Sequence, residues 1–194
     1  FMQTRTIFKT PLVSGFFRLV FMALTRLRGW RIEGEKPKDK KYVLIAAPHT
    51  SNWDFPTMMA ASFILGLDVH WIGKHTLFPA GPFGALMRWF GGIGIDRRKK
   101  HNTVEQIVAN FNERDELVVI ITPEGTRSKV NHWKAGFYHI AVGAGVPIYM
   151  AYVDTNLNVV GMGPAFHPTG DYEKDIVEIR SFYADKRGFK PHSE

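Results

Sequence analysis

The chain has 194 residues, 45% of them hydrophobic, which suffices for one well-buried domain and is short for two. Twenty-five Lys and Arg against 18 Asp and Glu leave a net charge of +7, a surface that attracts phosphate without choosing between nucleic acid, anionic lipid and a small substrate. The absence of cysteine excludes disulfides, thiolate metal sites and a thiol nucleophile together, and the eight histidines show no ligand spacing, so no metal is expected.

Residues 11–28 run PLVSGFFRLVFMALTRLR, with Leu12, Phe16, Leu19, Val20 and Ala23 at helical spacing and arginines at the borders. The longest apolar run, Leu19 to Leu24, is far short of the roughly 20 residues that span a bilayer. This helix is expected either to lie in a membrane interface or to pack on the domain's own core. Trp30 to Gly34 reads as a short strand and Lys36 to Lys41 as a solvated turn.

Tyr42 to Ala47 is a near-continuous apolar run, as in a strand buried on both faces of a parallel or mixed sheet. It delivers His49, and a helix is expected from about Trp53 to Leu65, with Pro56 tolerated in its first turn. His49 and Asp54 are five positions apart, which on a regular helix is about 140° around the axis. They meet only if His49 lies in the loop after the strand and Asp54 at the start of the helix. An imidazole beside a carboxylate has its tautomer set and one ring nitrogen free to accept a proton, the arrangement of a general base.

Val69 to Gly73 predicts a further strand ending at Lys74, Phe78 to Pro82 a turn and Phe83 to Phe90 a short helix. Gly91 to Arg98 is then expected as a glycine-rich turn before two arginines, whose planar donors suit phosphate. An amphipathic helix over 103–112 leads to the apolar strand Leu117 to Thr122, which runs into Pro123-Glu124-Gly125-Thr126-Arg127-Ser128. A carboxylate, a glycine and a guanidinium so close together can hold a hydroxyl and a phosphate at once. Phe137 to Gly145 predicts a helix, Val146 to Val153 and Val159 to Met162 strands, and Asp171 to about Lys186 a closing helix. The expected fold is α/β: a single domain over 29–194 with a mostly buried mixed sheet flanked by helices, and an N-terminal amphipathic segment over 2–28.

Taken in order, His49-x4-Asp54, Gly92-x-Gly94-Ile95-Asp96-Arg97, Pro123-Glu124-Gly125-Thr126-Arg127-Ser128 and Val146-Pro147-Ile148 resemble the four sequence blocks of the glycerolipid (lysophosphatidic acid type) acyltransferases. The resemblance runs from about residue 30 to residue 165. The chain departs from the family's usual pattern at Pro48, Gly94 and Met150.

The resemblance implies acyl transfer from acyl-CoA or acyl carrier protein to a hydroxyl of a glycerol-phosphate or lysophosphatidate-like lipid, without an acyl-enzyme. His49 and Asp54 would be catalytic. Arg97 and Arg127, with Lys74, would hold the acceptor phosphate, and Glu124, Gly125 and Thr126 its hydroxyl and backbone surroundings. No cofactor is implied, since the thioester supplies the activation. The expected partners are the acyl donor, the lipid acceptor and an anionic membrane surface, with no nucleic acid and a peripheral, cytoplasmic-face location. The competing readings are a thioesterase or esterase using the same base on water, and a basic module for membrane or nucleic acid.

Overall fold

A computed structural model describes residues 5–96, 103–128 and 130–190. Seven strands form one mixed sheet in the order β1-β7-β6-β2-β5-β3-β4. These are β1 (Arg31–Glu33), β2 (Lys41–Ala47), β3 (Val69–Lys74), β4 (Gly92–Ile95), β5 (Leu117–Ile121), β6 (Ile148–Asp154) and β7 (Val159–Phe166). Every neighbouring pair is parallel except β6 and β7, which form an antiparallel hairpin. Helices α1 (Val13–Leu27), α2 (Asp54–Leu65), α3 (Pro82–Trp89), α4 (Thr103–Glu113), α5 (Gly136–Ala144) and α6 (Tyr172–Phe182) complete the fold.

The alternation of β2 divides the core. Val43, Ile45 and Ala47 face α4, α5 and α6, joining Phe111, Phe137, Tyr138 and Ile179 in the larger apolar cluster. Tyr42 and Leu44 face the other side, with Leu67, Val69, Val118 and Ile120, against which Met58 and Leu65 of α2 pack. A strand covered on both faces has no reason to alternate polar and apolar residues, which accounts for the unbroken run at 42–47.

The chain's N-terminal part is tied to this frame. The Thr6 hydroxyl donates to the Asp68 carboxylate, Lys9 Nζ lies 2.7 Å from Glu116 Oε2, and Trp89 Nε1 donates to Thr10 Oγ1 at 2.9 Å. Helix α1 follows and sets Phe17 and Phe21 against Phe63 of α2, with ring centroids 5.3 and 5.7 Å apart. Its opposite side carries Leu12, Phe16, Leu19 and Leu27 exposed to solvent, Leu12 at 89% and Leu19 at 69%. Among the described residues no helix is long and apolar enough to cross a membrane.

The glycine-rich segment expected as a turn is instead an edge strand, β4, paired with β3 from Trp71↔Gly92 to Lys74↔Ile95. Its glycines have a packing cause. The ring of Phe78 lies over them, and a Cβ on Gly94 would stand 2.8 Å from a ring carbon. Gly73, Gly92 and Gly94 together form the shelf on which that ring rests.

Candidate functional site

The connection from β2 to α2 is short, and its hydrogen bonds converge on one carboxylate oxygen. Asp54 is the first residue of α2, and its N–H donates to the Ser51 carbonyl at 3.3 Å, closing a turn over residues 51–54. Asp54 Oδ2 accepts the backbone N–H groups of Thr50 and Ser51, each at 2.8 Å. His49 Nδ1 lies 2.9 Å from the same oxygen. A carboxylate only accepts, so Nδ1 carries the proton and Nε2 is left as the free acceptor. Asp54 Oδ1 is buried without a hydrogen-bond partner among the described residues. The condition set by the five-residue spacing is thus met, with His49 in the loop after the strand and Asp54 opening the helix.

The loop is held from two further sides. His49 N–H donates to Glu124 Oε2 at 2.6 Å, and Glu124, 6% exposed, enters from the end of β5, the strand next to β2. The Thr50 hydroxyl accepts from the Lys190 N–H at 3.2 Å, so the segment after α6 also rests on the loop. Tyr183 lies beneath, its hydroxyl donating to the carbonyls of Ala151 at 3.1 Å and Ile45 at 3.3 Å. Burial, followed by the charge of Glu124, pushes its phenol well above the ordinary value, so it stays a neutral donor.

His49 and Asp54 line a cavity of about 560 Å³ that runs between α2 and the sheet and is also lined by Ile107 of α4 and by Phe137 and Ile140 of α5. Phe55, Met58, Ala61 and Leu65 of α2 line one wall, and Leu44, Ala46, Trp71, Ile120 and Met162 of the sheet line the other. Ser62 and Thr57 of α2 also line it, and the Ser62 hydroxyl is turned back onto the Met58 carbonyl at 2.8 Å.

The other residues singled out in the sequence come from the carboxyl ends of adjacent strands. The Glu124–Arg127 loop follows β5, and Lys74 ends β3. Side by side in the order β2, β5, β3, they form the rim over the strands' carboxyl ends, where open α/β sheets bind ligands. Gly125, Thr126, Arg127 and Lys74 are exposed, and none of them lines the cavity. Arg97 lies outside the described residues.

Glu124 makes a contact that its sequence position did not announce. One of its oxygens is given to the His49 backbone, and it is not part of the cavity wall. Lys134, by contrast, was not legible as a site residue. It follows the loop after β5, lines the cavity, and its N–H donates to the Pro123 carbonyl at 2.9 Å. The Lys134 side chain passes within 3 Å of where a Cβ on Gly125 would stand, a proximity that spacing along the chain does not reveal. Among the described residues, no group of three His, Asp or Glu side chains is placed to hold a metal ion.

A family model described as Acyltransferase matches residues 29–153. The chain is 33% identical over 163 residues to the 1-acyl-sn-glycerol-3-phosphate acyltransferase of Escherichia coli (strain K12), covering 79% of this chain and 65% of that protein. It is 31% identical over 164 residues to the protein of the same name from Haemophilus influenzae, covering 80% and 67%. The chain therefore spans about two thirds of the length of these curated relatives. In fold it is similar to the crystal structure of the 1-acyl-sn-glycerophosphate (LPA) acyltransferase, PlsC, from Thermotoga maritima. The TM-score is 0.59 at 17% identity, covering 91% of this chain and 82% of that one.

Proposed function

The chain belongs to the acyltransferase family, and from that premise we propose that it moves a fatty acyl group from a thioester to a free hydroxyl of a lysophosphatidate-like lipid. The observation that carries this reading is the hydrogen-bonded His49–Asp54 pair at the wall of a 560 Å³ apolar cavity. A base positioned beside room for a hydrocarbon chain suits a reaction whose two substrates are a hydroxyl and a fatty acyl thioester.

His49 Nε2 takes the proton of the acceptor hydroxyl as its oxygen attacks the thioester carbonyl. Asp54 holds the imidazolium that forms. The tetrahedral adduct then collapses, the carbon–sulfur bond breaks, and the imidazolium returns its proton to the departing thiolate. The ester forms in one transfer, with His49 neutral again at the end. Glu124 is a positioning residue, since its carboxylate fixes the backbone of His49 rather than touching the reacting atoms. The acyl chain lies between α2 and the sheet, where each buried methylene contributes about 0.8 kcal/mol. Arg127 and Lys74 supply positive charge along the rim, Arg97 serves as a further phosphate-binding cation, and the donor is an acyl-CoA or an acyl carrier protein.

The exposed apolar side of α1 and the net charge of +7 support a peripheral seat on an anionic membrane surface, which is also where the lipid acceptor resides. Incubation with mixed acyl thioesters and lysophosphatidate, followed by mass spectrometry, should yield the diacyl product. Release of free fatty acid alone, with the acceptor unchanged, would establish a hydrolase instead.

A further inference from the structure

Of the candidate phosphate-binding cations, Lys74 and Arg127 stand on the rim and outside the cavity wall. Among the described residues Lys134 is the single lysine or arginine that lines the cavity also lined by His49 and Asp54. Its side chain crosses the face of Gly125. A Cβ placed on Gly125 would stand 2.7 Å from Lys134 Nζ, 2.8 Å from Cε and 2.9 Å from Cδ. A methyl group there would displace the flexible end of the lysine, and the backbone at φ +65° separately disfavours a side chain. Glycine at this position therefore suits the backbone and leaves the lysine end its course across the loop.

The neighbouring groups leave the ammonium available. The adjacent carboxylate, Glu124, has Oε2 on the His49 N–H, and no hydrogen bond or ion pair joins Lys134 Nζ to a described side chain. The Lys134 N–H on the Pro123 carbonyl, at 2.9 Å, fixes where the stem starts. Lys134 is exposed where it lines the cavity, so its ammonium is solvated there and can exchange water for an anionic group of the substrate.

We propose that Lys134 binds the phosphate of a phosphate-ester substrate next to His49, and that Gly125 is glycine so that Lys134 can do so. The inference rests on the acyltransferase reading above. It adds a cation that lines the cavity. Both substrates of such a transfer can carry phosphate: the acceptor as a monoester, and the donor in its pantetheine-bearing arm.

The test is steady-state kinetics of the full chain with Lys134→Met, Lys134→Arg and Gly125→Ala, each checked for folding by circular dichroism and thermal melting. Lysophosphatidate is varied at saturating acyl-CoA, then acyl-CoA at saturating lysophosphatidate. Lys134→Met should raise one KM about 10- to 100-fold, the loss expected for one charge-assisted hydrogen bond, with kcat largely retained. Lys134→Arg should recover part of that loss, and Gly125→Ala should reproduce it in the same substrate. The substrate whose KM moves identifies the phosphate. Unchanged KM values for both substrates in Lys134→Met, or a fall in kcat without a KM change, would overturn the proposal. Absence of acyl transfer by the unaltered protein would instead remove the acyltransferase reading itself.

Discussion

A carboxylate oxygen that accepts two backbone N–H groups and faces an imidazole N–H does two jobs at once in the 49–54 loop. It folds the turn and sets the histidine tautomer. Asp54→Asn leaves both in place and removes the charge, because an amide oxygen in the position of Oδ2 still accepts from Thr50, Ser51 and Nδ1 but is neutral. The imidazolium formed during transfer then loses its carboxylate partner, and turnover should fall at least about tenfold, measured by acyl transfer and melting on one preparation. A variant near full activity would show that the carboxylate charge does not matter. At this scale the sequence was informative where groups are close along the chain: the His49–Asp54 pair lies within one turn and was readable from spacing. Lys134 was not, because its approach depends on the backbone of Gly125 and on the course of the loop between them.

Helix α2 is the element on which substrate selection turns. Its first residue holds His49, and its inner face forms one wall of the cavity, so one helix couples the base to the space for the acyl chain. Filling that space should shorten the chain accepted. Ala61→Phe should shift the kcat/KM preference toward shorter acyl thioesters, each excluded methylene costing roughly fourfold, or about 0.8 kcal/mol. An unchanged chain-length profile would place the acyl group elsewhere. Helix α1 offers a second test, because it packs Phe17 and Phe21 on Phe63 while Phe16 and Leu19 face outward. Leu19→Glu should weaken sedimentation with phosphatidylglycerol vesicles and leave the melting temperature unaltered, whereas undiminished binding would count against a membrane seat for this face. Helices α1 and α4 were readable from their periodicity. The strand β4 was not, because Gly92 and Gly94 are selected by the Phe78 ring above them, and glycine otherwise reads as a turn.

For the whole molecule, strand order was the part hidden from the sequence. Strand β5 enters between β2 and β3, and this insertion, set by pairing across distant segments, brings the Glu124 loop beside His49. The opposite end of the same strands carries a pH-sensitive group that serves stability. Buried His70, on β3, has its pKa lowered from the ordinary 6.5 by burial first, opposed by Asp68 and reinforced by Arg114. The folded state thus holds His70 neutral, while the unfolded chain takes up a proton as pH falls through 6.5. Its contribution is intact above 6.5 and is lost progressively below it, by at most about 1.4 kcal/mol per pH unit. Urea unfolding between pH 7 and 5 should show a steeper loss of stability for the unaltered protein than for His70→Gln. Equal slopes would mean that His70 is not held neutral.

His49 as the base is the centre of the proposed chemistry. Acyl transfer by the His49→Ala protein to lysophosphatidate, measured against the unaltered chain with circular dichroism on the same samples, tests that directly. The predicted result is a fall in turnover of about 100- to 10,000-fold with the fold intact, as for the loss of a general base. A folded His49→Ala protein that transfers the acyl group at nearly the original rate would contradict it.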